Sequence, residues 1–299
     1  MLDFRVETFL AVCRHMNFTK AARELNITQP AVSHHIHYLE QAYGTALFQH
    51  NGKRLQLTEA GEILRRTLLT MKHDEQHLQK RMQQAASGTR DYSFGATLSV
   101  AEFMINEALG RFLQLHPDSH IQMQVADTKV LLSKLDSGEL DFAVVEGDFP
   151  KAEYDFFVFG TEEYVAAGDP EKAARYRGRR LTDLLVEPLL LREEGSGTRV
   201  ILDYLKEHGL AAADFARTVE IGNIGAIKTL LKSGYGVSFL YRAAIRPEEA
   251  AGTLGVIELS DFRLRHDIMF LFPKNSNFRA DYTAIFRELR ACAEETGSA

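Results

Sequence analysis

Apolar residues recur through the first ninety positions with a helical period, broken at short intervals by residues that start or stop helices. Phe4, Phe9, Leu10 and Val12 begin one stripe. Ala21, Ala22 and Leu25 form a second, with Asn17 or Thr19 placed to cap it. After a break at Asn26-Ile27, Val32, Ile36, Leu39 and Tyr43 form a third. Thr28 caps this third helix, Pro30 sits in its first turn where a missing N–H costs nothing, and Gly44 ends it. Asn51-Gly52, between Leu47-Phe48 and Leu55–Leu57, signals a hairpin. Three short helices and a two-stranded wing predict a winged helix-turn-helix over residues 1–58. A long helix follows to about Ala86, after which Ser87-Gly88-Thr89 reads as a hinge. Along it Leu64, Leu68, Met71, Glu75, Leu78, Met82 and Ala85 alternate at spacings of four and three. That seam either pairs with a second copy or packs on its own domain; the complete look of the flanking segments favours pairing.

From Tyr92 onward strands alternate with helices, which predicts βαβ units, mainly parallel sheets and an α/β class. "LDSGELDFAVV" and "LKSGYGVSFL" both run helix, Leu-x-Ser-Gly, strand. Two similar lobes would produce this echo, although two matches do not make a repeat.

Charge sharpens the division. Residues 1–90 hold 12 Lys and Arg against 8 Asp and Glu, and the remainder holds 23 against 33, within a net charge of −6. A basic front and an acidic back point to a polyanionic partner for the front only. No run of about 18 apolar residues suggests a membrane span, and the first twenty residues lack the pattern of an export signal. Cys13 and Cys292 give no disulfide framework. A cytoplasmic protein is expected.

On the third helix, Gln29, Pro30, Ser33, His34 and His37 lie opposite the apolar stripe. Small and hydrogen-bonding residues on one wet face suit a DNA major groove, where Gln pairs bidentately with adenine and Ser and His reach bases or phosphates. A metal site is excluded, because His34, His35 and His37 do not share a face and no Cys or acid stands at ligand spacing. A plain solvated face is the remaining alternative.

"FTKAARELNITQPAVSHHIHYLE" followed by "GTALFQHNGKRLQLTEAGEIL" resembles the DNA-binding half of the LysR-type transcriptional regulators. "LREEGSGTR" and "SGYGVSFL" are similar to that family's effector half, and the former to the subgroup controlling sulfur, nitrogen or carbon assimilation. The resemblance implies an N-terminal winged helix-turn-helix, a linker and dimerisation helix over 59–88, and a two-lobed α/β effector domain over 89–299 similar to periplasmic binding proteins. Lobe I would span about 91–160 and 267–299, and lobe II about 161–266. Promoter DNA, a small-molecule co-inducer, a second copy in a dimer or tetramer, and RNA polymerase are the partners implied. Carried onto this sequence, Thr19 and Lys20 lie near the DNA backbone, and Gln29, Pro30, Ser33 and His34 face the groove behind the cap Thr28. His37 approaches a base or phosphate, and His50, Lys53 and Arg54 lie on the wing. Thr28 replaces the usual Ser and His50 the usual wing Arg.

In the effector half, Thr97-Leu98-Ser99, Asp127-Thr128, Ser196-Gly197-Thr198 and Asn223 stand at strand-to-helix junctions. Ligands in open α/β sheets bind outside the carboxyl ends of strands, and helix N-termini attract anions. A small anionic or carboxylated metabolite is therefore expected on Thr97, Ser99, Thr128, Ser196 and Thr198, with Arg192 as counter-charge. The plain alternative for each hydroxyl is a helix N-cap. No cofactor is expected beyond this effector. An enzyme is not expected: "EEGSGTR" has Glu194 where a nucleophile elbow needs its first Gly, and no phosphate-binding or zinc-protease motif occurs. A solute-binding protein, or a cleft enzyme with the front as an oligomerisation module, are the competing classes; the front ninety residues argue against both.

Neutral imidazole does not neutralise a phosphate, so a DNA face rich in His gains charge only on protonation. DNA affinity is expected to strengthen as pH falls through about 6.5, the ordinary His value. Filter binding at fixed salt between pH 8 and 6 checks this, and a flat profile refutes it.

Overall fold

A computed structural model describes residues 3–52, 54–193, 196 and 199–296 of the chain. Helices α1 (Phe4–His15), α2 (Phe18–Glu24) and α3 (Gln29–Tyr43) enclose a small core of Phe9, Leu10, Val12, Ala21, Ala22, Val32, Ile36 and Leu39. Local chemistry sets their ends. Asn17 Oδ1 accepts from the Lys20 N–H at 2.9 Å, so Asn17 is the α2 cap. Asn26 takes φ +54°, a left-handed conformation that Asn tolerates, and this reverses the chain in the short turn before α3. Thr28 caps α3 and Gly44 closes it at φ +67°. Tyr43 was expected in the stripe but is 57% exposed: α3 runs one turn beyond Leu39, past the edge of the core. Strands β1 (Phe48–Asn51) and β2 (Arg54–Leu57) pair antiparallel with Asn51 opposite Arg54, so Asn51 ends a strand and is not the first turn residue that Asn51-Gly52 suggests.

Helix α4 (Glu59–Ser87) serves three surroundings along its length. Near its start, Leu68 is buried in the helix-turn-helix core, with Leu64 and Leu69 packed beside it. Mid-helix, His73, Asp74 and His77 are buried against the α/β half rather than against a second helix. His73 Nε2 lies 2.9 Å from the Leu140 carbonyl, the Asn277 N–H donates to Asp74 at 2.9 Å, and Lys80 donates to Asp141 at 2.9 Å. Arg65 pairs with Glu153 at 2.9 Å. The expected seam is therefore split. Leu68 packs within its own chain, whereas Met71, Leu78 and Met82 are exposed.

The α/β half consists of β3 (Arg90–Ala96), α5 (Leu98–Phe103), α6 (Asn106–Leu115), β4 (Ser119–Val125), α7 (Thr128–Ser137) and β5 (Phe142–Glu146), then the long β6 (Tyr154–Gly168). After α8 (Pro170–Arg175) come β7 (Pro188–Leu191), α9 (Val200–Glu207), β8 (Arg217–Glu220), α10 (Ile224–Lys232), β9 (Val237–Tyr241), α11 (Arg242–Ala250), β10 (Gly255–Ile257), the long β11 (Leu264–Pro273) and α12 (Arg279–Thr296). Strand order is β4-β3-β5-β11-β6-β9-β7-β8, with β10 on β6. Each outer trio is parallel, and β4-β3-β5 repeats as β8-β7-β9. The echoed Leu-x-Ser-Gly segments lead into β5 and β9, the corresponding strands of the two trios. The centre departs from a mainly parallel sheet: β6 and β11 run antiparallel through both lobes, with a bulge between Ile268 and Met269.

Gly61 marks a close approach in the first domain. A methyl group there would overlap the Leu47 carbonyl and crowd Leu57. Gly110, on the exposed side of α6, has open space around it. Gly61→Ala is expected to destabilise by about 1–3 kcal/mol through overpacking, and Gly110→Ala to stabilise by up to about 1 kcal/mol through helix propensity. Urea unfolding midpoints of the two variants check both signs.

Candidate nucleic-acid interface and effector cleft

Val32, Ile36 and Leu39 hold α3 against its domain, which turns Gln29, Pro30, His34 and His37 outward with Ser33 at the margin. Gln29 Nε2 donates to Ser33 Oγ at 2.9 Å, one helical turn on, and His37 lies 3.0 Å from Gln41. The three histidines separate by face. His35 turns inward, its Nδ1 2.9 Å from Thr8 Oγ1 and its ring edge-on to Phe4, and burial draws it below its ordinary pKa. Thr19, Lys20 and Thr28 are exposed around α3, as are His50 and Arg54 on the wing. Lys53 lies outside the described residues.

The second site forms where the parallel strands of both lobes end. Thr97 stands at the N-cap position of α5, but its hydroxyl makes no cap; it donates to the carboxylate of Glu146, the last residue of β5. Ser99 is buried beside it and adds a second favourable contact to that carboxyl, while Leu98 is half-buried. Thr128 reaches the Glu146 carbonyl weakly, at 3.4 Å. Asn223 takes the plain role, accepting from the Ala226 N–H at 2.9 Å as the α10 cap. From lobe II comes Arg192, 5% exposed, which donates through Nε and Nη2 to Glu193 at 2.7 Å each. Its Nη1 is buried and has no hydrogen-bond partner among the described residues. Ser196 is half-buried, its backbone N–H donating to the Glu193 carbonyl at 3.3 Å, and Gly197 and Thr198 lie outside the described residues.

Sequence reasoning missed Glu146, Glu193, Tyr241 and His266. Glu146 is 2% exposed and closes an otherwise apolar strand; a charge ending the run Phe142–Glu146 was the signal. Tyr241 closes the matching strand β9, and its hydroxyl lies 2.8 Å from His266 Nδ1. Phe103 of lobe I lies 5.3 Å from Lys228 Nζ of lobe II, so the lobes touch beside the cleft. A cavity of about 980 Å³ opens off the lobe I lip, reaching from Thr128 and Glu146 past α7 to Cys13 and Arg14 on α1. Among the described residues no cluster of three or more His, Cys, Asp or Glu could hold a metal, and no helix is long and apolar enough to cross a membrane.

Residues 86–293 match the family model described as the LysR substrate binding domain, and residues 5–62 match the lysR family of bacterial regulatory helix-turn-helix proteins. The chain belongs to the LysR family of transcriptional regulators. Among similar LysR-type proteins, the RuBisCO operon transcriptional regulator of Acidithiobacillus ferrooxidans is 28% identical over 97% of this chain and 94% of its own. CbbR of Rhodospirillum rubrum is 28% identical over 97% and 96%. In fold, the chain is similar to full-length LysG from Corynebacterium glutamicum with its effector Arg bound (TM-score 0.62, 18% identity, covering 99% of each chain). It is also similar to the CcmR regulatory domain of Synechocystis in complex with 2-PG (TM-score 0.60, 20% identity, 68% of this chain and 97% of that one). The LysR-family architecture assigns DNA binding to the first domain and effector binding to the second.

Burial pushes the Glu146 carboxyl up to about 7 from an ordinary 4.5. As pH rises above 4.5 the unfolded chain ionises this group first, while the folded chain keeps the proton until about 7, so stability falls across that window and the full penalty stands above it. Glu146→Gln removes the penalty. Its melting temperature relative to wild type is expected to rise by about 2–4 °C or more between pH 5 and pH 8, as read by scanning fluorimetry.

Proposed function

We propose that this LysR-family regulator reads promoter DNA with the Gln29–Ser33 edge of α3 and responds to a small acidic metabolite held between Thr97, Ser99 and Arg192. The observation that carries the first part is the division of α3: apolar side chains inward, and a hydrogen-bonding, uncharged row outward. Base edges take Gln29, Ser33, His34 and His37, while Thr19, Lys20, Thr28, His50, Lys53 and Arg54 hold the backbone. The observation that carries the second is the buried, unpaired Nη1 of Arg192, a strong donor waiting for an acid oxygen. LysG with Arg and CcmR with 2-PG support a small-molecule effector in this fold.

The exposed row Met71, Leu78 and Met82 on α4 supports pairing with a second copy, which sets two recognition helices on half-sites about 34–36 Å apart or a multiple of that. The linker over 59–88 then carries lobe motion to the DNA-binding pair, because α4 is packed on both domains. A cytoplasmic regulator that contacts RNA polymerase from its promoter site, without enzymatic activity, completes this reading.

Gln29→Ala combined with Ser33→Ala tests the DNA assignment. On the DNA upstream of its own gene, specific affinity is expected to fall by about 1–3 kcal/mol per lost base contact, with affinity for unrelated duplex unchanged. Unchanged promoter affinity in a folded variant rejects the assignment.

A further inference from the structure

The charges around the cleft are unevenly matched. Arg192 is held by Glu193 through two of its three nitrogens. Arg199, the next cation along, donates to Glu220 at 2.9 Å and to the Arg192 carbonyl at 3.3 Å. The Arg192 charge acts on Glu146 only through space: among the described residues no cation lies within ion-pair distance of its carboxyl, whose contacts are the Thr97 and Ser99 hydroxyls. Both Glu146 and Arg192 are more than nine-tenths buried. Among the described residues the cleft therefore offers one unpartnered donor, Nη1 of Arg192, and one buried carboxyl with no cation at ion-pair distance.

A plain anion answers half of this arrangement. Its acid group satisfies Nη1, but its negative charge works against ionisation of the neighbouring Glu146 carboxyl, because like charges in a low-dielectric site repel strongly, and so it gives that carboxylate no stabilising partner. A dianion such as phosphate is worse placed still. A molecule with an acid group at one end and an ammonium at the other answers both halves: the acid pairs with Arg192 and the ammonium replaces the missing cation at Glu146. We propose that the effector is zwitterionic, of the amino-acid class, and that Glu146 is the residue selecting its ammonium group. This rests on the cleft being the effector site and makes that reading more specific. Thr97 and Ser99 then act mainly by holding the Glu146 carboxylate in place, rather than by binding the effector's acid directly.

The test is calorimetry on the full-length chain with the proteinogenic α-amino acids, their des-amino and 2-hydroxy counterparts, inorganic phosphate and sulfate. At least one amino acid is expected to bind at least about tenfold more tightly than its des-amino and hydroxy counterparts, because a buried polar group left unpaired is costly. Glu146→Gln keeps the shape and an acceptor for Thr97 but removes the charge. It is expected to abolish that preference while leaving the weaker binding of the des-amino acids intact or improved. Equal binding of amino acids and their counterparts, tighter binding of phosphate or sulfate, or a preference that survives Glu146→Gln overturns the ammonium assignment and leaves the acid-binding cleft standing. Failure of every compound to bind, plain anions included, rejects the cleft reading itself and the assignment with it.

Discussion

The antiparallel pairing of β6 with β11 is the constraint on which the rest of the α/β half depends. It joins two parallel trios that run in opposite directions, so that their carboxyl ends converge on the middle of the joined strands. Glu146, the end of β5, is level with Ile268, which pairs with Gly160. Tyr241, the end of β9, is level with Tyr164. Four positions along β6, roughly 13 Å, separate the two ends. That distance leaves space for a small molecule and little more. The bulge at Ile268/Met269 lies beside Glu146, where the ladder passes from one lobe to the other. Any change of angle between the lobes must be absorbed near this level, because the outer trios are each tied by continuous parallel ladders.

Helix α4 gives the second half of the mechanism. Its docking on lobe I is polar and buried: Asp74 on Ser276 and Asn277, Asp141 shared among Lys80, His77 and the Ser93 N–H, and His73 on a carbonyl. Such contacts are directional. They add little net stability compared with an apolar surface, but they specify one seating of the helix, and a buried partner left alone is costly. Burial holds His73 at about 4, so at neutral pH it is an uncharged ring. Because the first turns of α4 are part of the helix-turn-helix core, its seating on lobe I sets the position of α3. The cavity between α1 and α7 is lined by Thr128 and Glu146 as well as by Cys13 and Arg14, so one end of the candidate cleft and the DNA-binding domain border one space.

The helix-turn-helix was legible in the chain because everything that specifies it is local. Caps at Asn17 and Thr28, a left-handed Asn26, Pro30 in a first turn and an apolar stripe at Val32, Ile36 and Leu39 act within a few residues of one another. The exposed face of α3 follows from that stripe by elimination. The α/β class was legible for the same reason, through the alternation of periods. The sequence pattern also placed Thr97, Ser99, Thr128, Arg192 and Asn223 at strand ends, since strand-to-helix junctions are local features.

What each of those side chains does there was a matter of tertiary structure. Thr97 and Asn223 both stand at helix N-cap positions, yet Asn223 caps and Thr97 turns to Glu146, because only Thr97 meets a buried carboxyl group arriving from a strand 49 residues further along the chain. The heptad-like spacing of α4 could not say which side meets a neighbour, since one helix carried both a polar docking face and an apolar row. The sequence alone determined the elements and the wet face of α3, whose causes lie within one or two helical turns. The three-dimensional fold alone decided the charge balance of the cleft and the seating of the linker, because both depend on groups that meet only when distant segments pack and exclude water.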